Sequence, residues 1–300
     1  MPDPNPRLTL PAALPAAKQT VLADILNRLM TIAGIRAIVL GGSYAQGSQR
    51  PDSDVDLGLY YDAESPFAIE AIRQTAAAVS QNGAPVVTDF YEWGAWVNGG
   101  AWIHTAAGKV DFLYRNLNQV RQTLADAHEG RLALDYQQQP PYGFPSVIYL
   151  AETHICQPLY DPAGIIATLK QQTSPYPPRM KSAIIQNNLW GIEFTLLHAR
   201  DFARSGDVYN TVGCLTRSLS YLTQVIFALN ETYFISDKRA VAAIEHFSIR
   251  PDAYAAQVNR ILGHPGQTAA ELTATVEALQ NLFQHTVALA AGQYQPRYIL

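Results

Sequence analysis

The run Gly41-Gly42-Ser43-Tyr44-Ala45-Gln46-Gly47-Ser48, followed by Ser53-Asp54-Val55-Asp56-Leu57, puts residue types that can hold a phosphate next to residue types that can hold a metal. Gly41 and Gly42 come directly after an apolar stretch and allow a tight turn with close approach of backbone to a ligand. Ser43 opens a short helix-like stretch, where free N–H groups and a neighbouring hydroxyl suit a phosphate. Asp54 and Asp56 stand two apart in a strand-like run, so both carboxylates fall on one face and Val55 and Leu57 on the other. Two adjacent carboxylates repel unless a cation joins them. Mg²⁺ takes a few carboxylate oxygens together with substrate phosphates. Loop and acid pair together point to metal-assisted nucleotidyl transfer. Two other phosphate motifs are excluded: Ser48 stands where a P-loop requires lysine, and there is no Gly-x-Gly-x-x-Gly fingerprint.

These residues need a strand on each side of the turn, and the sequence supplies both. Ile35–Leu40 is a short apolar run rich in branched side chains, and Val55–Tyr61 reads as a second strand. Val21–Met30 has helical spacing, and Phe67–Ser80 reads as an Ala-rich helix ended by Asn82-Gly83. Val86–Phe90, Ala95–His104 and Lys109–Tyr114 complete a mixed sheet, the last two forming a hairpin across Thr105–Gly108. From Leu117 the texture turns helical, with a Pro-rich loop at Asp135–Pro145 and long helical patterns over Met180–Arg204 and Val208–Leu229. Ser205-Gly206 between those two suits an antiparallel pair. Shorter helices are expected near Lys238–His246 and Ala253–Leu262, and a final one over Thr268–Ala291. The fold class read from this is α+β, with a mixed-sheet domain over residues 1–116 and a helical bundle over 117–300.

Composition sets outer limits. The chain has 300 residues, 48% hydrophobic and 15% charged, which excludes disorder as its main state. A net charge of -4 argues against a broadly basic surface for nucleic acid. Cys156 and Cys214 make neither a disulfide scaffold nor a zinc site, and both read as reduced, buried thiols. The proline-rich start lacks a basic-then-apolar signal pattern, and no run reaches the length of a membrane span, so the expected setting is the cytoplasm.

Gly-Gly-Ser, ten residues between Ser43 and Asp54, then Asp-hydrophobic-Asp resembles the signature of the DNA polymerase β-like nucleotidyltransferase superfamily. Over Gly41–Gly58 the match is similar to the bacterial antibiotic-type enzymes (kanamycin, streptomycin and lincosamide adenylyltransferases) and to small antitoxin nucleotidyltransferases. Gln46 departs from many relatives, which have arginine there. The resemblance implies a third carboxylate on a neighbouring strand. Asp111 in Lys109-Val110-Asp111-Phe112 is the favoured candidate and Asp89 the rival. It further implies two Mg²⁺ ions held by Asp54, Asp56 and Asp111, with ATP or another nucleoside triphosphate as co-substrate. Gly42 and Ser43 would hold the outer phosphates, helped by Arg50 and by Lys238 or Arg239. The reaction implied moves a nucleoside monophosphate, AMP from ATP, to a hydroxyl of a small-molecule acceptor of antibiotic type, or to a protein.

Several residues carry two readings. Asn98–Trp102 is either part of an acceptor pocket or a bulge with a core tryptophan. Glu152 and His154 are either a general base facing the reaction or a helix-surface pair, and Lys238 is either a phosphate ligand or a solvated lysine. Two other functions compete: an antitoxin-like protein adenylyltransferase, which is ordinarily shorter, and a non-catalytic nucleotide-binding regulator, for which the Asp54/Asp56 pair has no use. A ribonuclease role is excluded because neither Arg200 nor Arg204 has a histidine four to six residues on.

Overall fold

The structure is a computed structural model and describes residues 10–11 and 14–298. Most of the proline-rich start, on which the expectation of no signal pattern rests, lies outside the described residues. The chain forms two compact units that interleave in sequence. The first takes Met1–Ala125, Asp135–Gln138 and Tyr149–Pro175, and the second takes Asp126–Leu134, Gln139–Ile148 and Tyr176–Leu300.

Along the chain come α1 (Ala16–Leu29), β1 (Ile35–Leu40), α2 (Gly42–Gln46), β2 (Val55–Tyr61), α3 (Ile69–Val79), β3 (Val86–Val87), β4 (Gly100–Thr105) and β5 (Gly108–Asn116). Next are α4 (Leu117–His128), the two-residue strands β6 (Leu134–Asp135) and β7 (Phe144–Pro145), α5 (Val147–Ile155), β8 (Gln157–Tyr160) and α6 (Ile165–Gln171). The helical remainder is α7 (Pro178–Arg204), α8 (Val208–Leu229), α9 (Ala240–Ile244), α10 (Tyr254–Gly263) and α11 (Ala269–Leu289).

The first unit is built on a six-stranded sheet in the order β3-β4-β5-β2-β1-β8. Only β2 and β5 run parallel; the other pairs are antiparallel. Side chains alternate across a strand, so the sheet has two unlike faces. One is apolar: Ile38 and Leu40 of β1, Val55, Leu57 and Leu59 of β2, and Val110, Phe112 and Tyr114 of β5 join one buried cluster. Leu22, Ile25, Leu26 and Leu29 of α1, with Ile72 and Ala76 of α3, belong to the same cluster. Their spacing makes one helical stripe, and each large side chain so buried contributes about 1.5–3 kcal/mol. By the same alternation the other face carries Asp56 and Tyr60 from β2 and Asp111 and Arg115 from β5.

Three strands of this sheet differ from the reading of the sequence, and the stretch read as a loop at Asp135–Pro145 also carries β6 and β7 at its ends. The expected Val86–Phe90 strand is only Val86–Val87, and the strand expected from Ala95 begins at Gly100. The reason for the late start is local. Asn98 sits in the left-handed region at φ 57°, and its buried side chain is spent on the backbone and on Gln119. The third difference is β8, unexpected from sequence, which completes the sheet beside β1.

In the second unit α7 and α8 pack along each other and α11 packs on both. The joint at Ser205–Asp207 is closed by the Asp207 side chain, which accepts from Asn210 N at 3.0 Å. Thr268 and Glu271 form a capping box at the start of α11. By length and composition α8 is apolar enough to cross a membrane, at mean hydropathy 1.2, but Leu215, Leu219, Leu222 and Ile226 are buried within this helical packing. Of the two thiols, Cys156 is buried as expected, whereas Cys214 is half-buried on α8.

Candidate active site

Leu40 ends β1, and the Gly41 N–H donates to Asp56 O at 2.8 Å, tying the turn to β2. Gly42 then takes φ +57°, and a Cβ placed on it would lie 1.7 Å from Asp56 Oδ2. The Asp56 carboxylate therefore occupies the space a side chain at 42 would need. This is the physical reason the motif needs glycine here: backbone conformation and close approach both demand it. Gly42 opens the five-residue α2, which closes at Gly47 in the left-handed region. Tyr44 is buried beneath it, and Ser43 stays half-buried beside the turn.

Asp56 and Asp111 are direct register partners across the parallel β2–β5 pair, on the face turned away from α1 and α3. Asp111 is also paired with Trp102 across β5–β4. Trp102 is half-buried, and its ring meets that of Trp93 at a centroid distance of 3.5 Å. Asp54 lies one residue before β2 begins, so the alternation that aligns it with Asp56 acts through an extended lead-in rather than a paired strand. Among the described residues no group of three His, Cys, Asp or Glu side chains is gathered so as to hold a metal ion. What the structure does provide is two neighbouring hard-oxygen donors with a third two residues away along the chain. That is chemistry suited to Mg²⁺.

Arg50 is exposed in the loop between α2 and β2, where Ser53 Oγ accepts from its backbone N–H at 2.8 Å. Lys238 and Arg239 belong to the second unit and are exposed there, with Arg239 at φ 60°. Asp89, the rival third acid, follows the edge strand β3. Its carboxylate is well exposed and pairs with Arg73 at 2.7 Å. Glu152 makes a bidentate pair with Arg115, both bonds at 2.7 Å. Burial works against the Arg115 cation, but the Glu152 charge and hydrogen bonds outweigh it and hold the guanidinium above its ordinary range. His154 meets Thr173 Oγ1 at 3.2 Å, and burial followed by the Lys170 charge pushes its imidazole down. Both members of the Glu152/His154 pair thus have structural partners.

Reading the sequence missed Lys18. From α1 its Nζ donates to Ser53 O at 2.5 Å and stands 5.0 Å from the centre of the Tyr44 ring. It thereby bridges α2 and the loop that leads to Asp54. No local pattern marks it, because its partner lies 35 residues away.

The family model of the nucleotidyltransferase domain matches residues 22–98, a span that runs from α1 past Asp54 and Asp56 and stops before β4 and Asp111. No curated protein matches the chain. Among solved structures, a nucleotidyltransferase-like protein from Exiguobacterium sibiricum 255-15 is 10% identical, with a TM-score of 0.43, covering 92% of this chain and 77% of that one.

Proposed function

We propose that the nucleotidyltransferase domain at residues 22–98, extended through β5, catalyses Mg²⁺-dependent transfer of a nucleoside monophosphate, AMP from ATP, to a hydroxyl of a small-molecule acceptor. The single observation that carries the reading is the packing of the Asp56 carboxylate into the space left by Gly42, with Asp111 beside it in register. A structural turn has no need to press a carboxylate against a glycine, nor to set a second carboxylate next to it on the same face. Asp54, Asp56 and Asp111 are the proposed metal ligands. Bound Mg²⁺ would supply positive charge for the attacking and leaving oxygens.

The chain's own groups have distinct tasks. The Gly42 backbone and the Ser43 hydroxyl hold the outer phosphates, with Arg50 as the proposed cation from the neighbouring loop. Lys238 is kept as a candidate to be tested by substitution. Asp111, as the acid nearest β4, takes the proton from the acceptor hydroxyl. The acceptor oxygen then forms its bond to the α-phosphorus as the bond to the β-phosphate oxygen breaks and pyrophosphate leaves. The division of labour proposed is catalysis within residues 1–116 and acceptor recognition within 117–300. The proposed setting is the cytoplasm, where free thiols stay reduced.

The test is incubation of the full chain with labelled nucleoside triphosphates, Mg²⁺ and a panel of aminoglycosides, lincosamides and lysate proteins. Pyrophosphate release and the mass of the adduct are read together. Labelled small molecule in wild type, lost in Asp56→Asn and Asp111→Asn, supports the reading. Labelled protein alone selects a protein adenylyltransferase. Nucleotide binding with no labelled acceptor of either kind selects the non-catalytic regulator. Equal transfer by wild type and Asp56→Asn would falsify the metal-ligand assignment.

A further inference from the structure

The second unit holds a cavity of about 210 Å³ whose lining includes none of the residues assigned above to the metal, the phosphates or proton transfer. Its walls come from the segments around Leu132–Leu134 and Tyr142–Val147, one side each of α7 and α8, and the stretch between α8 and α9 that carries Phe234 and Asp237. All of these belong to the second unit. The floor is apolar and aromatic: Phe234 is fully buried, and the half-buried ring of Tyr221 stands beside it in the lining.

Asp237 is the one charged side chain among the residues lining this wall, the other polar groups being hydroxyls and amides. Asp237 is half-buried, and among the described residues no lysine, arginine or histidine pairs with it. Burial alone pushes its carboxyl above the usual carboxylate range. The Tyr142 phenol in the same wall is pushed up by burial and then by the Asp237 charge, so it stays neutral beside that carboxylate. Asn188 spends its amide hydrogen on Ile184 O at 2.8 Å, which leaves Oδ1 as an acceptor. An unpaired carboxylate held partly out of water is costly unless a cation meets it. Aromatic faces nearby favour the same kind of guest. The volume is below the range of about 300–1,000 Å³ typical for drug-sized ligands.

From this we infer that the cavity binds a small organic ammonium compound, with its cation on Asp237 and an apolar ring or chain lying on Phe234 and Tyr221. The site is independent of the nucleotidyl-transfer reading and would stand if that reading fell.

The experiment is isothermal titration of the full chain with phenethylamine and with 2-phenylethanol, which has the same ring and reach but no charge. Wild type should bind the amine at least about tenfold more tightly than the alcohol. In Asp237→Asn the two should bind within twofold of each other, with no loss of melting temperature, because the change removes an unpaired charge. Ala183→Leu, which narrows the cavity from the α7 side, should weaken both ligands. The inference is overturned if neither compound binds wild type, if the alcohol binds as well as the amine, or if Asp237→Asn keeps the tenfold preference. It is also overturned if Ala183→Leu leaves the amine's affinity unchanged, a result that stays readable even should Asp237→Asn fail to fold. No nucleotide is present in these titrations, so their failure and a failure of nucleotidyl transfer are separate results.

Discussion

The β2–β5 pair has two ends on one face of the sheet, and they treat charge in opposite ways. At one end Asp56 and Asp111 sit side by side with like charge, and Asp56 is pressed against Gly42. At the other, four residues on, Tyr60 lies opposite Arg115, whose guanidinium is buried and doubly bonded to Glu152. The Tyr149 phenol, pushed well above its usual range by burial, donates to Trp96 O at 2.6 Å and lies against the same guanidinium. One end is a closed network in which each charge has its counter-charge. The other sets two carboxylates in register on neighbouring strands. One pair of strands thus carries an opposite-charge ion pair at one end and the two acids of the proposed site at the other.

Four substitutions probe that contrast, in order of expected effect. Asp56→Asn should lower nucleotidyl transfer by at least about a hundredfold, or roughly 3 kcal/mol of barrier, with little change in melting temperature. Pyrophosphate release against a thermal melt reads both, and a large loss of stability instead would make this end structural too. Arg115→Met should do the reverse. It strands a partly buried carboxylate on Glu152 and should cost about 2–4 kcal/mol of stability in denaturant unfolding. Adding Glu152→Leu should recover much of it, and absence of recovery would mean that Arg115 acts through packing alone. Gly42→Ala should register at both levels. It needs a left-handed backbone and displaces Asp56, so stability should fall by about 1–2 kcal/mol and transfer by more than tenfold. Asp89→Asn should do least. Its partner Arg73 is as exposed as a surface pair, which limits the change to about 0.5 kcal/mol, and transfer should hold steady. A collapse of transfer in this variant would move the third acid from β5 to the edge of the sheet.

Much of this was legible in the sequence because it depended on local pattern. The bounds of β1, β2 and α8 follow from apolar runs with clear period, and the turn between β1 and β2 announces itself through paired glycines. Alternation also predicted that Asp56 would face away from Val55 and Leu57, as it does. What escaped was set by distant partners. The four residues of β8 include Pro158 and become a strand because β1 offers them an open edge. Nothing near Arg115 or Glu152 in sequence says that they meet, and Lys18 looks like any helix-surface lysine until Ser53 and Tyr44 are placed beside it. Trp93 is similar: its ring contact with Trp102 depends on the path of the loop between β3 and β4, which Gln138 pins by donating to Trp93 O at 2.5 Å and accepting from Trp96 N at 2.6 Å.

The crowding at Gly42 has a stereochemical consequence. Two separate demands fall on that residue, a positive φ and an empty L-side-chain position, and ordinary mutagenesis violates both at once. A D-alanine introduced at position 42 by chemical ligation would accept the positive φ and direct its methyl group along the other Cα–H bond. The mirror-image residue would therefore distinguish whether the site depends on the path of the main chain or on the space in which the Asp56 carboxylate rests.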